Sequence, residues 1–233
     1  MSPSLPPAVT PIDALLGRGQ AVAAEEALHH LRRELTVQDA TVAINALLQR
    51  HPDWIPALAE LGRCMLQMRE HRAAFNVGAH IVQLDAADAR GVELQVVAME
   101  HEGAPASQVL PRRRRLAALQ PDSAPHQFML AITASRLGYY AEMHAALDTA
   151  LRLNPDLLLA RWAKFLTPRD KFFASRAEIE RYIADWDAGC AAFAARDLEA
   201  PALRPRLEGL LLAQCNFHLA YSGIDVTSRQ IAL

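Results

Sequence analysis

The sequence predicts an all-α protein: an α-solenoid of helix-turn-helix repeats with a C-terminal helical extension. Three observations support this fold class. Alanine supplies about a fifth of the 233 residues while aromatic residues supply 6%, a composition typical of closely packed helices rather than of β-sheets. Apolar residues recur at helical spacing along most of the chain. Finally, similar segments recur at a constant interval in its middle.

Three similar turn segments define that interval: HPD at 51–53, QPD at 120–122 and NPD at 154–156. Pro121 and Pro155 are 34 positions apart, and the longer interval from Pro52 divides into 34 and 35 if an unmarked boundary falls at Ala86. A period of about 34 residues is that of the tetratricopeptide helix-turn-helix repeat. The middle of the chain is therefore predicted to be an array of such repeats.

The predicted organisation has a flexible N-terminal segment, four repeats and a C-terminal extension, with bounds 1–20, 21–51, 52–85, 86–120, 121–154 and 155–233. The predicted helices of the repeats cover residues 21–34, 37–50, 55–68, 71–84, 89–102, 105–119, 124–137 and 140–153. Gly62, Ala74 and Ala131 are expected at close crossings of the two helices of a repeat, since only small side chains let helices approach closely. Helices are also predicted from 157 to 165, from 175 onward and over 206–221.

The C-terminal third contains two segments, FFASRAEI at 172–179 and NFHLAYSG at 216–223. Together they resemble the join between repeats and catalytic region in bacterial SPINDLY-type proteins, relatives of O-linked N-acetylglucosamine transferases. In that family the second segment tends to read NFYLAYQG, so His218 and Ser222 are departures. The resemblance implies a two-lobed glycosyltransferase after the repeats, but only ten residues follow Gly223. The chain is therefore expected to lack the catalytic lobes and to be a separate binding module, a truncated reading frame or an excised domain.

Composition and charge exclude several classes of function. The formal charge of −2 argues against a general nucleic-acid binder. No apolar run reaches the length of a membrane helix, and the N-terminal residues are not expected to act as a secretory signal. The three widely spaced cysteines suit a reducing compartment. We therefore predict a cytoplasmic protein that contacts no membrane, and the resemblance to bacterial SPINDLY-type proteins implies a bacterial source.

No metal or cofactor site is expected. The nine histidines show no His-Glu-x-x-His pattern, and none lies near a cysteine at chelating spacing. No glycine-rich loop between a strand and a helix is present to hold a pyrophosphate. His101 beside Glu102 is interpreted as a solvated pair and His218 as structural, so no catalytic residue is assigned.

The run Arg112 to Arg115 is the strongest local charge feature. Consecutive helical residues point in different directions, and no aromatic residues alternate with them to stack on bases. The run is therefore interpreted as a solvated second helix whose arginine stems cover apolar neighbours. Arg113→Ala is then expected to be almost neutral for stability.

The candidate binding surface is the concave groove that the first helix of each repeat would line. Its mixture of arginine, amide and apolar side chains suits an extended peptide. The leading prediction is a non-catalytic scaffold for a protein or peptide partner. Two alternatives stay open: the recognition half of a protein O-glycosyltransferase whose catalytic domain is missing or separately encoded, and a self-associating homo-oligomer. The candidate residues are Arg63, Gln67, Glu93, His101, Phe128, Ser135 and Arg136.

Overall fold

The computed structural model describes residues 6–169 and 173–195, and every regular element in this part of the chain is an α-helix. The chain divides into two compact units after Gln120. Unit 1 holds α1 to α7 and unit 2 holds α8 to α11. The helices are α1 Thr10–Gly17, α2 Ala21–Glu34, α3 Val37–Leu48, α4 Ile55–Gln67, α5 His71–Leu84, α6 Ala89–His101, α7 Ala106–Leu119, α8 Ala124–Ser135, α9 Tyr140–Leu153, α10 Leu158–Leu166 and α11 Arg176–Ala194.

The helix starts confirm the predicted helix-turn-helix repeat. First helices begin at residues 21, 55, 89, 124 and 158, and second helices begin at 37, 71, 106 and 140, so that each spacing is 34 or 35 residues. The eight repeat helices lie within about two residues of their predicted bounds. The helix predicted over 206–221 lies outside the described residues.

Local chemistry explains where these helices begin and turn. Thr36 accepts a hydrogen bond from the Asp39 amide at 3.2 Å and so caps α3. The turns after α6 and α8 place Gly103 and Gly138 at φ of 74° and 73°, a left-handed conformation that glycine adopts without steric cost. The turn after α4 places Arg69 in the same region at φ 63°.

The N-terminal segment differs from its prediction. It contains α1, which packs against α2, and it buries Val9 and Ile12 in the same apolar core as Leu28 and Ile44. Residues 6–20 are therefore an ordered part of unit 1. The apolar pattern of this stretch is too short to indicate a helix by periodicity, and burial against α2 stabilises it instead.

One helix crossing in unit 1 brings the backbones of two neighbouring repeats into contact. A Cβ atom on Gly78 of α5 would lie 2.6 Å from the Gly91 carbonyl oxygen of α6, and one on Gly91 would lie 2.8 Å from the Gly78 carbonyl oxygen. Real side chains do not tolerate such distances to backbone atoms, so this crossing requires glycine on both helices. Gly62 makes a similar contact, because its Cβ would lie 2.4 Å from Leu94 Cδ1.

The expectation of close crossings thus needs one correction. The atoms nearest to a Cβ on Gly62 of α4 belong to Leu94 of α6, the first helix of the next repeat. Ala74 and Ala131 are both completely buried, as small residues in helix-packing positions are expected to be.

The arginine run is distributed over several environments. Arg113 is buried, with 5% of its surface exposed, and its Nη2 and Nε donate to Glu100 Oε2 and Oε1 at 2.7 and 3.3 Å. Arg115 donates from Nη2 to the Ala86 carbonyl at 2.7 Å, and Arg114 is exposed. The interpretation of the whole run as solvated was therefore wrong for Arg113, because the helix turns this residue inward.

Unit 2 consists of the hairpin of α8 and α9, followed by α10 and α11. Trp162, Phe165, Tyr182, Ile183 and Trp186 form the core between α10 and α11. These two helices also have a small residue at their contact, since a Cβ on Gly189 would lie 2.2 Å from the ring of Phe165.

We expect Gly78→Ala to lower the free energy of unfolding by about 1–3 kcal/mol, as overpacking of a buried contact typically does. The added methyl group meets a backbone carbonyl, which cannot rotate away as the end of a side chain can. Urea denaturation followed by circular dichroism measures the effect.

Gly17→Ala is the matched control, because a Cβ there meets nothing within 4 Å. At this position the better helix propensity of alanine should leave stability unchanged or raise it by up to about 1 kcal/mol. Equal destabilisation by both substitutions would contradict the proposed role of the crossing.

We expect Arg113→Ala to lower the free energy of unfolding of unit 1 by about 1–3 kcal/mol, since it leaves the partly buried Glu100 carboxylate without its partner. The Glu100 carboxylate would lose both of its hydrogen bonds from Arg113. Arg115→Ala removes the same side chain at an exposed site two residues away and should cost less than about 1 kcal/mol. Similar urea midpoints for the two variants would show that the pair does not stabilise the fold.

Candidate functional site

The first helices of unit 1 form one continuous face. Helix α4 packs against both α2 and α6, and no two of the second helices α3, α5 and α7 pack as closely. When first helices lie closer together than second helices, the first-helix side of a solenoid is its inner side. The surface predicted to bind a partner in this unit is therefore formed by α2, α4 and α6.

A buried carboxylate lies at the centre of this face. Glu60 of α4 is 4% exposed, and a buried charge is stable only when it is paired. Its Oε1 lies 3.0 Å from Nδ1 of His29 on α2 and accepts a hydrogen bond of 2.5 Å from Nη1 of Arg63. Glu60 thus joins α2 to α4 and fixes the head group of Arg63.

Arg90 makes the corresponding link from α6. Its Nη1 donates to Glu25 Oε1 on α2 at 2.8 Å, and its Nε and Nη2 donate to Asp88 at 3.0 and 2.6 Å. Asp88 also caps α6 by accepting from the Arg90 amide at 2.9 Å. The hydrogen bonds from Arg90 hold the pKa of the Asp88 carboxyl below its ordinary value, against the opposing effect of burial. The hydrogen bonds to Asp88 in turn raise the pKa of the Arg90 guanidinium, so both groups stay charged.

A third link lies near the end of α4, where Arg32 of α2 donates from Nη2 to Gln67 Oε1. These links place charged and amide groups side by side across three helices. We call this set the polar row. Its members are Glu25, His29, Arg32, Glu60, Arg63, Gln67, Asp88 and Arg90.

The polar row contains two of the residues predicted from the sequence. Arg63 has 40% of its side chain exposed and Gln67 is exposed. Glu93 is a half-buried residue of α6. His101 is exposed at the end of α6, where its ring stacks on His71 of the second helix α5 with centroids 4.9 Å apart.

The other predicted residues lie in unit 2, on or just after α8. Phe128 is half-buried, Ser135 donates its hydroxyl hydrogen to the Ile132 carbonyl at 2.8 Å, and Arg136 is exposed. The bond of Ser135 to its own helix satisfies its hydroxyl donor. These three residues are still predictions for partner contact.

The sequence-based site missed the residues of α2. Glu25, His29 and Arg32 are three or four positions apart and therefore lie on one helix face. That spacing is a usable signal, but the first repeat diverges from the others and its inward face was not assigned. Glu60 was missed because carboxylates on helices are usually exposed.

Unit 2 has a cavity of about 890 Å³ beside α9, α10 and α11. His144 Nε2 lies 3.1 Å from the carbonyl oxygens of Thr167 and Pro168, and the Tyr182 hydroxyl donates to the Leu166 carbonyl at 2.7 Å. Burial raises the pKa of the Tyr182 hydroxyl, which keeps its proton. Burial and the Asp187 carboxylate raise the pKa of the Cys190 thiol to about 11, so this thiol is a poor nucleophile at neutral pH.

Two features of the described residues bear on other classes of function. Residues 6–169 and 173–195 contain no group of three or more His, Cys, Asp and Glu side chains able to hold a metal ion. In the same part of the chain, no helix combines the length and apolar character needed to cross a membrane. His218, Cys215 and the 216–223 segment lie outside the described residues.

Solved structures similar to this chain are tetratricopeptide-repeat proteins. YrrB, described as a TPR protein with an unusual peptide-binding site, aligns with a TM-score of 0.59 at 12% identity, covering 84% of this chain and 99% of YrrB. A MamA fragment from Desulfovibrio magneticus RS-1 aligns with a TM-score of 0.58 at 11% identity, covering 76% and 97% of the two chains. A further MamA structure aligns with a TM-score of 0.55 at 18% identity, covering 69% of this chain and 92% of MamA.

No protein-family model and no curated protein sequence matches the chain. The comparison with known proteins therefore rests on structural similarity, and these three proteins share less than 20% sequence identity with the chain. They agree with the all-helical repeat architecture described above. The chain has the fold of the tetratricopeptide-repeat proteins, an α-solenoid of helix-turn-helix repeats.

Proposed function

We propose that the chain is a non-catalytic scaffold that holds an extended peptide segment of a partner protein against the polar row of unit 1. The observation that supports this most directly is that Glu60 joins α4 to His29 of α2, while Arg90 joins α6 to Glu25 of α2. The peptide-binding site named in the description of YrrB is a property of a protein with the same fold. It agrees with the proposal.

The chemistry of the polar row fits a peptide backbone. An extended backbone presents alternating N–H donors and carbonyl acceptors. Carboxylates such as Glu25 accept hydrogen bonds, guanidinium groups such as Arg63 donate them, and the amide of Gln67 does both. Acidic and basic side chains are nearly balanced along the row, so selection would depend on hydrogen bonds more than on net charge.

The width of this three-helix face matches the length of a short extended peptide. Packed helices are about 8–10 Å apart, so a face of three helices spans roughly 16–20 Å between its outer axes. An extended chain rises about 3.3 Å per residue, and five or six residues would cross this face.

Order within the polar row favours binding. Each long side chain is already held by a partner on the same or a neighbouring helix. A peptide that binds there therefore does not need to immobilise these side chains, which would otherwise cost about 0.5–1.5 kcal/mol each.

The glycosyltransferase alternative depends on the two segments at 172–179 and 216–223 together. The second segment lies outside the described residues, so this alternative stays a prediction from the sequence. On the proposed function, the purified chain should neither hydrolyse UDP-N-acetylglucosamine nor transfer its sugar. Turnover above a heat-treated control would favour the alternative instead.

The test begins with linear peptides selected on the full chain from a displayed random library. We expect Gln67→Ala and Arg63→Gln each to weaken binding of a selected peptide about fivefold or more, since truncating a central contact often costs at least 1 kcal/mol. Arg63→Gln keeps an amide near Glu60 and so limits the loss of stability. Isothermal titration calorimetry gives the affinities.

Gln83→Ala is the matched control, because Gln83 is an exposed residue of the second helix α5. This variant should bind the same peptide as the unchanged chain does. Equal weakening by Gln83→Ala, or failure of any linear peptide to be enriched, would contradict the assignment.

A further inference from the structure

A second concave surface lies on the other side of unit 1, between the second helices α5 and α7. It is a depression of about 820 Å³. We call this surface the outer groove and define it by Arg72, Phe75, Asn76, Met99, Gln108 and Arg112. None of these residues belongs to the polar row, so a ligand of the outer groove is independent of the proposed function.

Arg112 is held in place within this groove. Its guanidinium carbon lies 5.4 Å from the centroid of the Phe75 ring, in the range of a cation–π contact. Its Nε donates to Gln95 Oε1 at 3.3 Å, and Gln95 is itself buried. Binding to this group therefore costs little side-chain entropy. Its terminal Nη groups form the fork that pairs with a carboxylate through two hydrogen bonds.

The two walls of the groove carry similar pairs of residues. Arg72 and Asn76 are four positions apart on α5, and Gln108 and Arg112 are four positions apart on α7. Each wall thus offers one amide, which both donates and accepts, and one guanidinium. A peptide strand between the walls could form backbone hydrogen bonds on both sides.

The lining also sets the chemistry of the occupant. Phe75 and Met99 are half-buried apolar residues of the groove, and they would accept a large apolar side chain. Two arginines face one carboxylate, that of Glu102, at this surface. The remaining single positive charge matches one carboxylate and disfavours a strand of phosphates.

We propose that the outer groove binds an extended acidic–apolar segment of a partner protein. In this complex a Glu or Asp carboxylate pairs with the Arg112 guanidinium, and the adjacent apolar side chain lies on Phe75 and Met99. The amides of Asn76 and Gln108 bind the peptide backbone on either side. Unit 1 then has two peptide sites of different chemistry, one on each side of its helices.

The probe is the blocked peptide acetyl-Gly-Ser-Glu-Leu-Ser-Gly-amide, titrated into the isotope-labelled full chain and followed by amide chemical shifts. We expect shifts on α5 and α7 around Phe75 and Arg112 at millimolar peptide. The peptide with Gln in place of Glu should bind about fivefold more weakly, because hydrogen bonds to an ionised acceptor are stronger than those to a neutral one.

The decisive readout is the preference for Glu over Gln. Arg112→Gln should abolish this preference, and Arg112→Lys should restore it only in part because lysine lacks the fork. Arg33→Gln removes an exposed arginine from α2 and should leave the preference intact. If circular dichroism shows that Arg112→Gln does not fold, Arg72→Gln replaces it and should reduce the preference about twofold, as a rim charge does.

Three results would overturn the proposal: no shifts at millimolar peptide, shifts confined to α2, α4 and α6, or a Glu preference that survives substitution of Arg112. A short oligothymidylate is titrated in parallel. Tighter binding of this probe than of the Glu peptide at the same shifted amides would also overturn it, in favour of a nucleic-acid surface.

Discussion

The contact between Gly78 and Gly91 is the constraint on which the arrangement of unit 1 depends. It allows α5 and α6 to approach until the backbone of each helix touches the other. This approach brings the next repeat inward, so that α6 also reaches α4 and places Leu94 against Gly62. The polar row exists because α2, α4 and α6 are adjacent, and the outer groove exists because α5 and α7 are not. A single crossing thus determines the separation of helices on both sides of the unit.

The polar row combines an energetic cost with a structural benefit. Burying the Glu60 carboxylate removes it from water, and the contacts with His29 and Arg63 offset this penalty. An apolar residue at this position would avoid the penalty and would also leave the Arg63 side chain without its partner. The ion pairs across the row therefore serve the order of the surface more than the stability of the fold.

Much of the fold could be predicted because its signals are local. The 34-residue spacing of the turn prolines predicted the repeat period, and glycine occupies two turns that require a left-handed backbone, at Gly103 and Gly138. Contacts between residues far apart in sequence could not be predicted in this way. Arg90 and Glu25 are separated by 65 positions and meet only through the packing of α6 near α2. Gly78 and Gly91 likewise look like weak points within helices until their mutual contact is seen.

The distribution of Arg112 to Arg115 also shapes the local electrostatic potential around α7. Four adjacent cations in an extended segment would produce a strong local potential and attract polyanions from a distance. Here the helix turns the Arg113 charge into the interior, where Glu100 neutralises it, and holds Arg112 over an aromatic ring. Few counterions can then be released by a passing nucleic acid, so nonspecific association should be weak and depend little on salt. The cationic run of the sequence is therefore divided among separate environments in the folded protein.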